Sequence, residues 1–589
     1  MERGSDVLAR SARLSGNAAM AAATASRSLR EDPLTFAVQL ARRFPAARTP
    51  LLAAARRARG SERELAETWL SGDLTSTRAL LGEIAGRSGL GRLGAEIAHA
   101  AGRPELVADD TRIAPIARAR AAWQLGEATR AIALLAEHAP KSRLHRVLRA
   151  ELAMMTPGTR LRWNATDIAP TTPRHGILHL LTNSLPHTQS GYTVRSHAVL
   201  QAQRDAGLDP VAMTRVGYPV VVGKLGAAAR DVIDGIDYHR ALPPLLAPSP
   251  DGRLAQQAEA LGRLARSVRP AALQTTTHYP NAVVAREVAE WLGTPWAYEV
   301  RGMLEQTWVA SLGSDEARER AAASERFSLT REREAELASA ADAVFTLSGS
   351  MRDDLAARGL PADRITLVPN AIDASLLDRR APAPADARAA LGLPREGFWV
   401  GSTSSLVDYE GFDVLLDAVA RLRERGHDVR ALLVGEGTAR PALEAQAAAL
   451  GLGDAAVFTG RVSRDAVVRH RDALDLFVVP RLDREVTRTV SPLKPVEAMA
   501  SGRPLVVSAL PPLLETIGGE LAAAGAAVAP SDVSALSDRI GQIATQPNLR
   551  ARLTSLGRQR AAALTWQRNG LTYRSAMRKN GADLPMWED

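Results

Sequence analysis

From Gly176 onward the chain alternates short apolar runs with helical stretches, and few folds accommodate that alternation. The runs GILHLLTN, AALQTTTH, TPWAYEV, ADAVFTLS and RITLVPN are β-rich and separated by helix-forming sequence. This is the signature of a parallel sheet covered by helices. Near DRRAPAPADARAALGLPREG, Asp378 to Gly397, proline and alanine replace the strand pattern. The alternation then restarts with FWVGSTSSL, VRALLVGEG, AAVFTGRV, LDLFVVPR, GRPLVVSAL and GAAVAP. Two successive doubly wound sheets are expected, and in such sheets ligands bind beyond the carboxyl ends of the strands.

Upstream the texture differs. From Ser28 to about Met155 the sequence is dense in Ala, Leu, Arg and Glu at helical spacings, which predicts a bundle of helices. The piece AAWQLGEATRAIALLAEHAP resembles the first helix of a tetratricopeptide hairpin, but no repeat of fixed period follows it. The Pro- and Thr-rich stretch around TPGTRLRWNATDIAPTTPRHG reads as a linker. The expected division is a helical domain over 1–157, a linker over 158–175, α/β domains over 176–377 and 378–565, and a final helix over 566–589. At 589 residues the chain is too long for one core.

Composition narrows the chemistry. There is no cysteine, so disulfides, thiolate metal sites and cysteine nucleophiles are excluded. The charge balance is 74 Lys+Arg against 65 Asp+Glu, with the arginines scattered rather than gathered into a run, so no nucleic-acid partner is expected. No stretch has the apolar length of a signal peptide core or a membrane span, and a cytoplasmic protein is expected.

Several pattern matches fail. GLGRLG, Gly89 to Gly94, lies among helices with no strand before it, and GYPVVVGKL misses the phosphate-loop spelling. No Asp-x-Asp pair is present to hold a metal against a diphosphate. The stretch TRTVSPLKPVEAMASGRPLVVS is more informative, because it follows the strand LDLFVVPR and starts a helix near Pro492. Lys494 would sit in the first turn, where a cation opposes the helix dipole and suits a bound phosphate. Glu497, one turn on, could accept from vicinal hydroxyls; the alternative is a solvated Lys-Glu pair.

SPLKPVEAMASGRPLVVS, with VVPR before it and LLETIGG after, resembles the signature of retaining glycosyltransferases of family 4, which have the GT-B fold. The resemblance continues through VDYEGFDVLLDAVARL, LLVGEG, VFTGRV, ADAVFTLSGSM, ITLVPNAID, YEVRGMLEQTW and LHLLTNSLPHTQSGYTVRSHA. It implies two Rossmann-like domains facing a cleft, an acceptor domain followed by a nucleotide-sugar donor domain, with the last helix crossing back to the first of them. Gly191 in SLPHTQSGYTVR matches the loop nearest the diphosphate. His278 matches the histidine facing the sugar, with a capping or core histidine as the alternative, and Arg301 falls at a strand end facing the cleft. In the donor domain Lys494 and Arg481 match the diphosphate cations and Glu497 the ribose acceptor. Gly435 and Gly437 let backbone approach the nucleotide, and Gly460 to Val462 lies where the base is contacted.

Three positions depart from the family pattern. Thr489 replaces the first of two glutamates, Glu410 with Gly411 replaces the usual Lys-Gly, and Ala371 follows Asn370 where glycine is frequent. The activity implied is hexosyl transfer from a nucleotide-sugar to a glycan, lipid-linked or other cell-envelope acceptor, with no metal and no cofactor. Departing diphosphate would be stabilised by Lys494 and Arg481, with His278 orienting the sugar. Two other readings remain open at this level: a silent nucleotide-sugar-binding scaffold, and a helical adaptor that contacts proteins or the inner membrane face. The absence of an Asp-x-Asp clamp predicts that donor turnover persists in excess chelator; loss of activity restored by magnesium or manganese would refute a metal-free site.

Overall fold

The computed structural model describes residues 2–31, 61–165 and 176–582. Most of the stretch expected as a linker, 166–175, therefore lies outside the described residues, as do 32–60 of the expected helical domain and 583–589 of the final helix. By its contacts the chain divides into two compact units, one formed by 1–345, 355–366 and 573–589 and the other by 346–354 and 367–572.

The first unit holds an eight-stranded sheet. Its strands are β1 (Ile177–Leu181), β2 (Pro210–Thr214), β3 (Arg230–Ile233), β4 (Ile236–Arg240), β5 (Ala272–Thr276), β6 (Trp296–Val300), β7 (Ala343–Thr346) and β8 (Ile365–Leu367). They are ordered β3-β4-β2-β1-β5-β6-β7-β8. The central pairs are parallel, and β3 joins β4 as an antiparallel edge hairpin. β1, β5 and β6 are buried along their whole length, the condition of strands covered on both faces. β2, β3 and β4 are absent from the runs singled out in the sequence. β2 starts with proline, RDVI opens on two charged residues, and IDYHR alternates buried Ile236 and Tyr238 with half-buried Asp237 and His239, because an edge hairpin needs only one apolar face.

Helices from Ser61 to Met155 belong to the same unit. Their core of Leu65, Leu81, Ile97, Val107 and Leu125 also takes in Leu312, Ala317 and Ala321, which follow β6. The described part of 158–165 is fastened to this unit: the Gly158 N–H donates to Glu336 at 2.9 Å, and Arg160 pairs with Glu287 at 2.7 Å. Asn17, on the helix Glu2–Glu31, donates to the carbonyls of Leu225 and Ala227.

The second unit holds a six-stranded, wholly parallel sheet made of β9 (Phe398–Thr403), β10 (Val429–Val434), β11 (Ala456–Gly460), β12 (Leu476–Val479), β13 (Leu505–Ser508) and β14 (Ala527–Val528). The order β11-β10-β9-β12-β13-β14 reverses direction at β9, between β10 and β12. Ligand sites in open parallel sheets form at such a reversal, beyond the carboxyl ends of the strands. Trp399, Phe412, Leu415, Leu432, Phe477 and Val506 are among the side chains that fill the core.

Gly401, in the central strand β9, fits because it has no side chain: a Cβ there would lie 1.9 Å from the Leu432 carbonyl oxygen. Gly401→Ala should destabilise this unit by about 3 kcal/mol or more, since backbone must move to admit the methyl. Gly519→Ala, where a Cβ meets nothing within 4 Å, is the control. Guanidinium unfolding of both variants checks the contrast.

Candidate active site

In the second unit the loop after β9 runs from Ser404 to Gly411, and Arg481 follows β12. Lys494 opens the helix Lys494–Ala500, slightly later than the sequence suggests, with Pro495 in the first turn where its missing N–H costs nothing. These segments converge on Glu410. Its Oε1 accepts from Arg481 Nη2 at 2.9 Å and its Oε2 from Lys494 Nζ at 2.7 Å. Lys494 Nζ also donates to Ser404 Oγ. Burial alone would push the Glu410 carboxyl up, but Arg481 and Lys494 together hold it down at about 2. Burial lowers the Lys494 pKa, and the Glu410 charge opposes that shift.

The glycines of the VGEG turn act on protein backbone. A Cβ on Gly435 would lie 1.7 Å from the Ser404 carbonyl oxygen, and one on Gly437 would lie 2.0 Å from that of Leu406. Their absence lets the turn close on the loop after β9, with the Leu406 N–H donating to the Glu436 carbonyl at 3.1 Å. Gly460 bridges to Gly435, and Val462 packs half-buried against the core. The sequence assigned these glycines to backbone approach toward a nucleotide; in the structure the close approach is made to Ser404 and Leu406. The chain of contacts from Gly460 through Gly435 and Ser404 reaches Lys494.

Glu497 does not pair with Lys494. Its Oε2 accepts from Arg471 Nη2 at 2.9 Å, and Arg471 also donates to the Glu497 carbonyl and to Ser501 Oγ. The solvated Lys-Glu pair considered from the sequence is thus replaced by two separate partnerships. Thr489, where a glutamate is usual, donates its hydroxyl to the Glu485 carbonyl at 3.1 Å. Asn370 donates to the Ser491 carbonyl at 2.9 Å, tying the segment before Ala371 to the SPLKP stretch. Arg471 and Ser404 were invisible in the sequence because neither belongs to a local motif.

The first unit gathers its own group of residues. Gly191 is the exposed first residue of the helix Gly191–Asp205, capped by a Ser190–Thr193 box, and a Cβ there would meet open space. His278 precedes the helix Tyr279–Leu292 at the cap position, yet its side chain makes no cap bond. Glu334 does that work, its Oε1 accepting from the Tyr279 N–H at 2.7 Å, and burial raises the Glu334 pKa to about 7. Burial, with Arg215 nearby, pushes the His278 ring below its usual range, so it is neutral at neutral pH. Its Nδ1 is buried without a partner.

Arg301, expected at a strand end facing the cleft, directly follows β6 and is buried against a carboxylate. Its Nη2 donates to Glu299 Oε2 at 2.8 Å and its Nη1 to Ser196 Oγ at 2.7 Å, while Arg195 holds the other Glu299 oxygen. Arg301 and Arg195 keep the Glu299 carboxyl at about 2. Among the described residues no group of three or more His, Asp or Glu is placed to hold a metal ion, and no helix is long and apolar enough to cross a membrane.

Two doubly wound sheets, with basic side chains gathered at the strand ends of the second, define the chain as a protein of the GT-B class. A solved structure of similar fold is sucrose-phosphate synthase from Thermosynechococcus elongatus, with a TM-score of 0.54 at 21% identity over 69% of this chain and 98% of that one. Residues 385–560 match the family described as Glycosyl transferases group 1, and 190–371 match the Glycosyl transferase 4-like domain. The chain belongs to the group 1 glycosyltransferases of family 4. It is 34% identical over 180 residues to the 2-deoxystreptamine glucosyltransferase of Streptomyces kanamyceticus, covering 30% of this chain and 44% of that protein. It is 30% identical over 236 residues to the GDP-mannose-dependent alpha-(1-6)-phosphatidylinositol monomannoside mannosyltransferase of Mycolicibacterium smegmatis, covering 38% and 59%. The chain spans about half the length of the curated relatives it matches.

The buried carboxylate Glu299 gives a pH prediction for the fold. Its folded pKa of about 2 lies below the ordinary 4.5, so its stabilisation is complete above pH 4.5 and is lost as pH falls toward 2. Glu299→Gln should be less stable at neutral pH by about 3 kcal/mol, because Arg195 and Arg301 lose their counter-charge. It should also show a flatter loss of stability through the acid window, which urea unfolding between neutral and low pH would read directly.

Proposed function

We propose that the chain is a retaining glycosyltransferase that moves a hexosyl group from a nucleotide-sugar to a glycan, lipid-linked or other cell-envelope acceptor. One observation carries the reading: Lys494 and Arg481, both inside the group 1 stretch, converge within 3 Å of one carboxylate at the reversal point of the second sheet. Two cations held in a site largely shielded from water suit a leaving group that gains negative charge as its bond to the sugar breaks. The relative whose name specifies GDP-mannose supports a nucleotide-sugar donor.

In this reading the bond from the anomeric carbon to the diphosphate oxygen breaks while Lys494 and Arg481 stabilise the departing charge. The acceptor hydroxyl attacks from the same face and passes its proton to the leaving phosphate, so no dedicated base is required. Glu497, oriented by Arg471, accepts from the ribose hydroxyls. A neutral His278 donates or accepts a hydrogen bond at the sugar without adding charge, and Gly191 leaves the amino end of its helix open to the diphosphate. Lys494 and Arg481 take the role a metal would have, and no cofactor takes part. The protein works in the cytoplasm and meets a lipid-linked acceptor peripherally at the inner membrane face.

The test separates the two ends of the nucleotide. Lys494→Ala should raise the barrier by about 2 to 4 kcal/mol, mostly through kcat, because the charge it stabilises grows as the bond breaks. Glu497→Gln should raise donor KM, since the ribose contact exists in the ground state too. Steady-state kinetics with a panel of UDP- and GDP-sugars checks both, and wild-type rates for Lys494→Ala would end the assignment.

A further inference from the structure

Glu410 is absent from the roles just given, yet it is the residue on which both cations close. It ends the short 3-10 turn Asp408–Glu410 and is 4% exposed. Its loop is stitched to the segment after β12 by the Leu482 N–H, which donates to the Tyr409 carbonyl at 3.0 Å. The partners are equally constrained. Arg481 Nη1 donates to the Val490 carbonyl at 3.0 Å, and its Nε is buried without a partner. The side chains of Lys494 and Arg481 are 17% and 9% exposed.

Two cations this shielded repel each other and pay a desolvation cost when no anion is present. A carboxylate between them removes that cost and fixes where each donor group points. It also remains when a diphosphate arrives, and its charge opposes the incoming one. The site then presents one net positive charge instead of two. Attraction that acts equally on substrate, transition state and product does not raise kcat, whereas attraction that persists for the product slows its release.

We propose that Glu410 is a resident counter-ion of the diphosphate site, a positioning residue that aligns Lys494 and Arg481 in the empty protein and keeps the nucleoside diphosphate product loosely held. This rests on the reading that Lys494 and Arg481 meet the diphosphate. The glutamate that stands where the family commonly has lysine thereby has a function of its own. It acts through the two cations and takes no part in bond breaking.

Isothermal titration of UDP and GDP into the full-length chain and three variants tests this. Glu410→Gln keeps shape but removes charge, and should bind the preferred nucleoside diphosphate about tenfold tighter, with a steeper loss of affinity as salt rises. Glu410→Asp keeps the charge and should return affinity to within about twofold of wild type. A residue with a merely structural role would weaken binding when replaced, so equal or weaker binding by Glu410→Gln overturns the proposal. Should Glu410→Gln not fold, Glu410→Asp still decides: tenfold tighter binding with the charge retained would refute a charge-based role. Lys494→Ala distinguishes the two levels. If the wild type binds and Lys494→Ala does not, while Glu410→Gln shows no tightening, only the counter-ion role falls. If the wild type binds neither UDP nor GDP, or if Lys494→Ala binds as well as wild type, the diphosphate reading falls and takes this proposal with it.

Discussion

Burial of both faces of a parallel sheet is the constraint from which the rest follows. β1, β5, β6, β7 and β12 are buried along their whole length, so an ionisable group within them, such as His179 in β1 or Glu299 near the end of β6, needs a buried partner. Charge is therefore pushed to strand ends and the loops beyond them. Both units resolve the crowding there in the same way, with one carboxylate held between two cations. Glu299 sits between Arg195 and Arg301, and Glu410 between Arg481 and Lys494. Each carboxyl is kept at about 2 although burial alone would raise it.

The two clusters differ in what they can do. At Glu299 the arginines are almost wholly enclosed, and Arg301 spends a further donor on Ser196, so the group binds the end of β6 to the helix after β1. At Glu410 the lysine retains some access to solvent and reaches Ser404 across the loop after β9. That loop is in turn clasped by the VGEG turn, whose glycines permit backbone to lie against backbone. Lys494 is thereby held through one loop that lies 84 to 90 residues before it in sequence.

The alternation of apolar runs with helices predicted the two sheets, and the eleven runs singled out contain β1 and β5 through β14. The three strands that escaped, β2 to β4, form the outer part of the first sheet, where a leading proline in β2 and charged residues in β3 and β4 dilute the apolar signal. Lys494, Glu497 and Arg481 were legible because one short stretch and the strand before it carry all three. Their partners were not legible. Glu410 precedes Lys494 by 84 residues and Arg471 precedes Glu497 by 26. Arg301 was legible as a residue at a strand end, but its partner Glu299, two residues earlier, carried no signal of the pairing.

By itself the sequence determined the class of fold, the two successive sheets, and which residue types stand beyond the strand ends, because periodicity and turn residues act over a few neighbours. Only the tertiary structure decided which charges neutralise one another. It paired Lys494 with Glu410 rather than Glu497, gave Glu497 to Arg471, and turned the glycines of VGEG toward Ser404 and Leu406. The physical reason is that a buried charge takes its partner from whatever the packed chain brings within hydrogen-bonding distance, and spacing along the sequence does not set that distance.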